Sequence, residues 1–201
     1  APDMGAYENS LNSPSTYSPV TWHVATTGMD TVVYSNIASV SMPFNTLQWT
    51  MDHMLEGDSI IVHPGDHAGS ADNGGKSVHI RGNAVAADEV SVLGTLEFTG
   101  GSNSVNMLRV SYEYGAGFII SAGSINITDV LVVNADLNSG AITLSGTADA
   151  IINNVTLYGN DGAGLYNNSS GSVSIVNSII WGNGSSIPGA GSGNSVVTYS
   201  D

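Results

Sequence analysis

Three segments between Gly115 and Asn183 open alike: Gly115-Ala116-Gly117-Phe118-Ile119-Ile120, Ser139-Gly140-Ala141-Ile142-Thr143-Leu144 and Gly162-Ala163-Gly164-Leu165-Tyr166-Asn167. With Gly117, Gly140 and Gly164 taken as equivalent, the steps are 23 and 24 residues. A second set keeps the same period: residues 125–132, 150–157 and 173–180, with Asp129, Asn154 and Asn177 as the polar residue between two apolar pairs. Two interleaved sets with one period imply one structural unit per ~23 residues, which is a solenoid. Each unit holds short runs that alternate with period two, so the runs are strands, and the gaps between them are too short for helices. Strands recurring at this period wind into a parallel β-helix, each pairing with its equivalent one turn later at a rise of roughly 4.8 Å. Alternate Ile, Val and Leu then stack in interior columns, and Ile127, Ile152 and Ile175 share one of them.

The rest of the composition suits such a coil. Of 201 residues, 41% are hydrophobic, enough for one core, while only 10% are charged and 25 are Gly. The surface is therefore Ser, Thr, Asn and Gly. The formal net charge of −14, from 3 basic against 17 acidic residues, excludes a nucleic-acid partner, which needs a basic face. It disfavours an anionic membrane surface and makes Ca²⁺ the cation to test for. There is no cysteine, hence no disulfide or thiolate metal site. No apolar run is long enough to span a membrane. Asn-x-Ser/Thr triplets occur at Asn126, Asn154, Asn167, Asn168 and Asn183, and chance explains most of them in a chain of this composition.

In chain order, residues 1–21, with Pro2, Pro14 and Pro19, read as an extended arm or linker, and residues 22–201 as the β-helix domain. Residues 22–26 form a short strand. Pro43 opens a predicted helix over 44–55, with Phe44, Leu47, Met51 and Met54/Leu55 on one face and Gly57 as its stop. A stacked tube has an apolar end that must be covered, and this helix is the natural N-terminal cap. The first coil starts at Asp58. Matching Ile60 with Val78 and Val62 with Ile80 puts those four inward and Ile61, His63, His79 and Arg81 outward. Further strands are expected at 90–93, 95–99 and 107–111. From Asp58 onward the chain has room for about six coils.

At this point a family likeness is carried by particular residues. Trp22-His23-Val24-Ala25-Thr26-Thr27-Gly28-Met29-Asp30, Pro43-Phe44-Asn45-Thr46-Leu47-Gln48 and Gly57-Asp58-Ser59-Ile60-Ile61-Val62-His63-Pro64-Gly65 resemble the opening of right-handed parallel β-helix domains of the pectate-lyase-like superfamily, as found in large secreted bacterial surface proteins. Asn177-Ser178-Ile179-Ile180-Trp181-Gly182-Asn183 resembles their coils. The resemblance implies right-handed winding and an extracellular or cell-surface address. It is weak for function, since the superfamily holds lyases, hydrolases, adhesins and structural modules. Asp3-Met4-Gly5-Ala6-Tyr7-Glu8 resembles the segment that closes the C-terminal end of such domains, here standing at the other end. Residues 195–201 are β-prone without a closing segment. The arm of one copy would complete the open end of the next, giving head-to-tail self-association or docking on a neighbouring β-helix domain.

The candidate chemistry is sparse. A lyase of this kind would need a Ca²⁺ cluster of carboxylates and a basic residue as base, and the chain offers only Lys76, Arg81 and Arg109. Arg81 beside His63 and His79 is the best catalytic-looking group, with an imidazole as general base, set against its reading as a polar, solvated strand face. No carboxylate pair falls beside it. His63-Pro64-Gly65-Asp66-His67 matches no zinc spacing, and Pro-Gly makes it a turn. Asp129, Asn154 and Asn177 form a structural ladder, their side chains bonding up the column. Tyr158 and Trp181, one period apart with Val133 a coil earlier, form a partly exposed stripe on which sugar rings or partner proteins would stack. Gly182–Gly193, with five Gly and three Ser, reads as a loop. The expected function is a non-enzymatic, secreted structural or adhesive module, self-assembling into filaments through its arm. The alternative is a polysaccharide-binding or polysaccharide-cleaving domain. No cofactor beyond Ca²⁺ is implied.

Overall fold

The computed structural model describes residues 18–31, 39–136, 138–184 and 194–198, the last of these as backbone. The arm residues Asp3, Met4, Gly5, Ala6, Tyr7 and Glu8 and the loop at 185–193 lie outside the described residues.

The chain is an all-β parallel β-helix of about five turns with one short helix. A main face stacks β1 (Thr21–Val24), β2 (Ser59–Val62), β5 (His79–Gly82), β8 (Ser102–Ser111), β10 (Ser124–Val133), β12 (Asp149–Asn153), β15 (Ser172–Val176) and β17 (Asn194–Thr198), in that spatial order. A second face is made by β3 (Gly65–Ala68), β6 (Val90–Leu93), the second halves of β8 and β10, β13 (Thr156–Tyr158) and β16 (Ile179–Trp181). The third face is a five-stranded sheet of β4 (Ala71–Asp72), β7 (Leu96–Phe98), β9 (Phe118–Ile120), β11 (Gly140–Leu144) and β14 (Ala163–Asn167). Every pairing between named strands is parallel. Among the described residues five turns are closed on all faces and β15 and β16 begin a sixth, so the count of about six falls to about five.

The interior is built by register. Trp22, Ile60, Ile80, Val105, Ile127, Ile152 and Ile175 are consecutive partners in one column, and all are buried. Phe118, Ile142 and Leu165 face them from the third sheet. The expected match of Ile60 with Val78 is corrected: Ile60 pairs with Ile80 and Val62 with Gly82. The slip is two residues, so the inward set survives it, because strand side chains alternate with period two. Val78 is buried one step before β5, its N–H taken by Asn103 Oδ1 at 3.0 Å.

The turn between the first two faces explains the ladder. Met107, Asp129, Asn154 and Asn177 have φ of 55, 55, 55 and 50°, the left-handed region. Asn and Asp tolerate it better than other non-Gly residues, and this is why they recur there. Asn154 Nδ2 donates to Asp129 Oδ1. Asn177 departs from the expected ladder, since its amide donates to Asn153 Oδ1 at 3.1 Å instead. Two further ladders have buried members, Asn73 with Asn103 and Asn160. Asn73 donates to Asn103 Oδ1 (3.2 Å) at one corner, and Asn160 donates to Asn183 Oδ1 (2.8 Å) at another.

The helix is α1 (Leu47–His53), shorter than the expected 44–55. Thr46 is its N-cap, accepting from Trp49 N–H, with Asp30 holding the Asn45 and Thr46 N–H groups from outside. Phe44 stays in extended chain, bridged to Val24 and stacked on Trp22 with ring centroids 5.5 Å apart. Leu47, Met51 and Met54 are buried, whereas Leu55 is exposed. Gln48 donates to Asp72 O (3.4 Å) and accepts from Asp72 N–H (2.8 Å), acting as a strand partner for β4 at the edge of the third sheet. Lys76 Nζ closes the other end of α1, donating to the carbonyls of Met51 (2.7 Å), Asp52 (3.3 Å) and Met54 (3.1 Å). Asp58 is fully buried and accepts from Val20 N–H, Trp22 Nε1 and Leu55 N–H. These contacts fasten β1 and α1 over the first coil.

Two predictions follow from the columns. Ile152→Asp places a charge at an interior position with no partner and should cost on the order of 4 kcal/mol or more, read as loss of the cooperative melt; a wild-type melting curve would disprove the column. Met107 is the one non-polar residue in the left-handed turn column, so Met107→Asn should stabilise by roughly 1 kcal/mol in urea unfolding, and destabilisation would show that its side chain matters more than its backbone.

Candidate functional site

The sequence offered two regions, and the structure treats them differently. Among the described residues no hydrogen bond joins His63, His79 and Arg81 to one another, although Arg81 lies opposite Ile61, two residues before His63. His79 and Arg81 stand two apart on the outside of β5, and His79 Nδ1 meets Ser104 Oγ at 3.0 Å in the next coil. His63 lies just past β2, its N–H on Val24 O, and its Nε2 is 2.9 Å from His23 Nδ1 on β1. His67 turns inward, pairs with Val92 in an interior column, and is buried. Its Nε2 donates to His63 O at 2.8 Å, which leaves Nδ1 as a buried lone pair without a hydrogen-bond partner. The His63–His67 turn is thus held by a backbone contact. His23 was absent from the expected cluster because it lies 40 residues from His63, in the strand that covers the tube.

Of the three basic residues a lyase could draw on, one is engaged in a structural contact. Lys76 is spent on α1. Arg109 is half-buried, and its Nε lacks a partner, as does Asn106 Oδ1 on the other side of the Met107 bend. Arg81 alone is exposed. Among the described residues, no three His or carboxylate groups are gathered as a metal would need, so the acidic side chains do not converge on a Ca²⁺ cage. No helix among them is long and apolar enough to cross a membrane.

The second region is a patch. On the outside of the second face, Val133, Tyr158 and Trp181 are direct partners in successive coils. The neighbouring outer row holds Leu131, Thr156 and Ile179, again in register. Six adjoining positions therefore carry no charge in a chain of net charge −14. Tyr158, Ile179 and Trp181 are 53, 49 and 67% exposed. Earlier coils on this face carry Asp66, Ser91 and Arg109 in the Leu131 row and Ala68, Leu93 and Ser111 in the Val133 row, so aromatic residues enter these rows in the later coils and charge is found in the earlier coils of the first row. Gly182 follows Trp181 with φ of +65°, turning the chain at the patch's edge, and a Cβ there would crowd the Tyr158 ring at 3.3 Å. Sequence periodicity found Tyr158 and Trp181. It missed Leu131 and Ile179, since apolar residues adjacent to an interior position read as core.

The class these observations define is a parallel β-helix bearing an uncharged aromatic patch. No family model matches the chain, and no curated protein matches it. Among solved structures, pectate lyase Pel9A is similar, at 15% identity and a TM-score of 0.45, over 92% of this chain and 63% of that chain. This chain thus spans less than two thirds of that lyase, and a likeness at this level says nothing of activity.

Burial, and after it the nearby His63, lower the pKa of His23 below its usual 6.5. The unfolded chain therefore takes up this proton at a higher pH than the native chain does. Its contribution to stability is complete above about 6.5 and is lost as pH falls through and below it. The melting temperature should drop on acidification from about pH 7.5 to about pH 5, and His23→Gln should flatten that profile. An unchanged profile in the variant would assign the acid sensitivity elsewhere.

Proposed function

We propose that this chain is a non-enzymatic, extracellular adhesive β-helix module that holds a neutral polysaccharide against the patch at Tyr158 and Trp181. The observation that supports it is the pairing of two exposed aromatic residues in successive coils, flanked by Leu131, Val133, Thr156 and Ile179. Aromatic faces offer sugar rings an apolar platform, while the Tyr hydroxyl and Trp N–H supply polar contacts at the rim. The net charge of −14 argues for a neutral rather than an acidic glycan, since a polyanion would be repelled without bridging cations. Catalysis is disfavoured by the disposition of the basic residues. Lys76 closes a helix, and the patch has no titratable group but the Tyr158 phenol.

Binding should be measured on a panel of neutral and acidic glycans, with products analysed by size. Retention of a neutral glycan without cleavage is expected. Tyr158→Ala and Trp181→Ala should each lower affinity, by about 1–3 kcal/mol on the scale of ring stacking, with the melting temperature unchanged. Cleavage of any glycan would turn the reading into an enzyme, and binding that survives the double variant would move the site off the patch.

A further inference from the structure

The His23–His63 pair lies away from the aromatic patch. The two nitrogens face each other at 2.9 Å, with ring centroids 5.2 Å apart and planes 33° apart. Both backbones are fixed. His23 lies in β1, opposite Ile61, with its carbonyl accepting from Phe44 N–H. His63 N–H is bonded to Val24 O, and His63 O accepts from His67. Two imidazoles held this way can share one proton between them or turn their lone pairs on a common ion. Ligands placed cis on a square-planar or octahedral ion, with metal–nitrogen distances of about 2.05 Å, lie about 2.9 Å apart, whereas tetrahedral placement needs about 3.3 Å. The observed separation, which is also that of an ordinary hydrogen bond between two imidazoles, equals the cis distance. Imidazole is a favoured ligand for Cu²⁺ and Ni²⁺, and Cu²⁺ binds such nitrogens most strongly of the first-row divalent ions.

We propose that His23 and His63 form a two-imidazole site for a square-planar divalent ion, Cu²⁺ foremost, with water completing the coordination. Binding requires each ring to turn its lone pair off the hydrogen-bond line so that the two meet at one point. The second nitrogens, His23 Nε2 and His63 Nδ1, have no protein partner among the described residues, so each can carry the proton that leaves its ligating nitrogen free. The consequence is mechanical. The ion joins β1, the strand that covers the tube, to the end of β2 in the first coil, and so clips the cover onto the solenoid.

The test is titration of the whole chain with CuCl₂ alone, in a non-coordinating buffer near neutral pH, followed by calorimetry and electron paramagnetic resonance. One Cu²⁺ per chain is expected, with a spectrum of two equatorial imidazole nitrogens and a rise in melting temperature. His23→Gln and His63→Gln should each lose the two-nitrogen signature and weaken binding about a hundredfold, the gain a second tethered ligand provides. His53→Gln and His79→Gln should change neither. Zn²⁺, which prefers tetrahedral ligands, should bind more weakly than Cu²⁺. If His63→Gln fails to fold, His23→Gln decides alone. A two-nitrogen signature that survives in His23→Gln, or is lost in His79→Gln, or is absent from the wild-type chain, overturns the proposal.

Discussion

The whole structure depends on parallel, in-register hydrogen bonding from coil to coil. Each residue sits roughly 4.8 Å above its equivalent, so a position is never judged alone. An apolar residue pointing inward meets apolar neighbours above and below, as Ile127, Ile152 and Ile175 do. A polar residue pointing inward is stable when the next coil brings a partner, and this is the logic of Asn73 with Asn103 and Asn160 with Asn183. The bend between the first two faces works the same way. Once one coil turns with a left-handed residue, the coils bonded to it must turn at the same height, and Met107, Asp129, Asn154 and Asn177 all do.

This constraint is also why part of the fold was legible in the sequence. Between Gly115 and Asn183 the coils are nearly equal in length and apolar residues occupy the interior positions, so periodicity alone places strands, columns and the Asp129/Asn154/Asn177 turn. Earlier coils hide it. The register step from Ile60 to Ile80 is 20 residues and from Ile80 to Val105 it is 25, so no single period aligns them. The first half of β8, Ser102-Asn103-Ser104-Val105-Asn106, carries one apolar residue and even its inward Asn103 is polar. Such a strand exists because its neighbours hold it, not because its own pattern demands it. The helix was readable from its Leu47/Met51/Met54 stripe but not at its start, because Phe44 belongs to the same apolar row while its backbone is bonded to His23 and Ala25. Of the site, the Tyr158/Trp181 stripe was legible and the His23–His63 contact was not, as it is set by a strand joined from outside the repeat.

The charged residues gather meaning where the repeat stops. A solenoid's interior coils satisfy one another, but its first coil has an open edge and an apolar end. Here Asp58 takes three N–H groups, Lys76 takes three carbonyls at the end of α1, Gln48 stands in for a strand beside β4, and Asp30 holds the N–H groups of Asn45 and Thr46 just ahead of α1. Of the 3 basic residues in the chain, one is thus used as a structural clasp.

Stacking also shapes what the outside can do. An outward residue repeated in the next coil becomes a row, so two aromatic residues in register make a platform that neither would make singly. The same arithmetic punishes charge: like charges in successive coils would sit one strand spacing apart and repel. The six positions around Tyr158 and Trp181 carry no charge, so none of these rows sets like charges one above another. The backbones of Tyr158 and Trp181 are paired in the ladder, while their side chains stand 53 and 67% exposed.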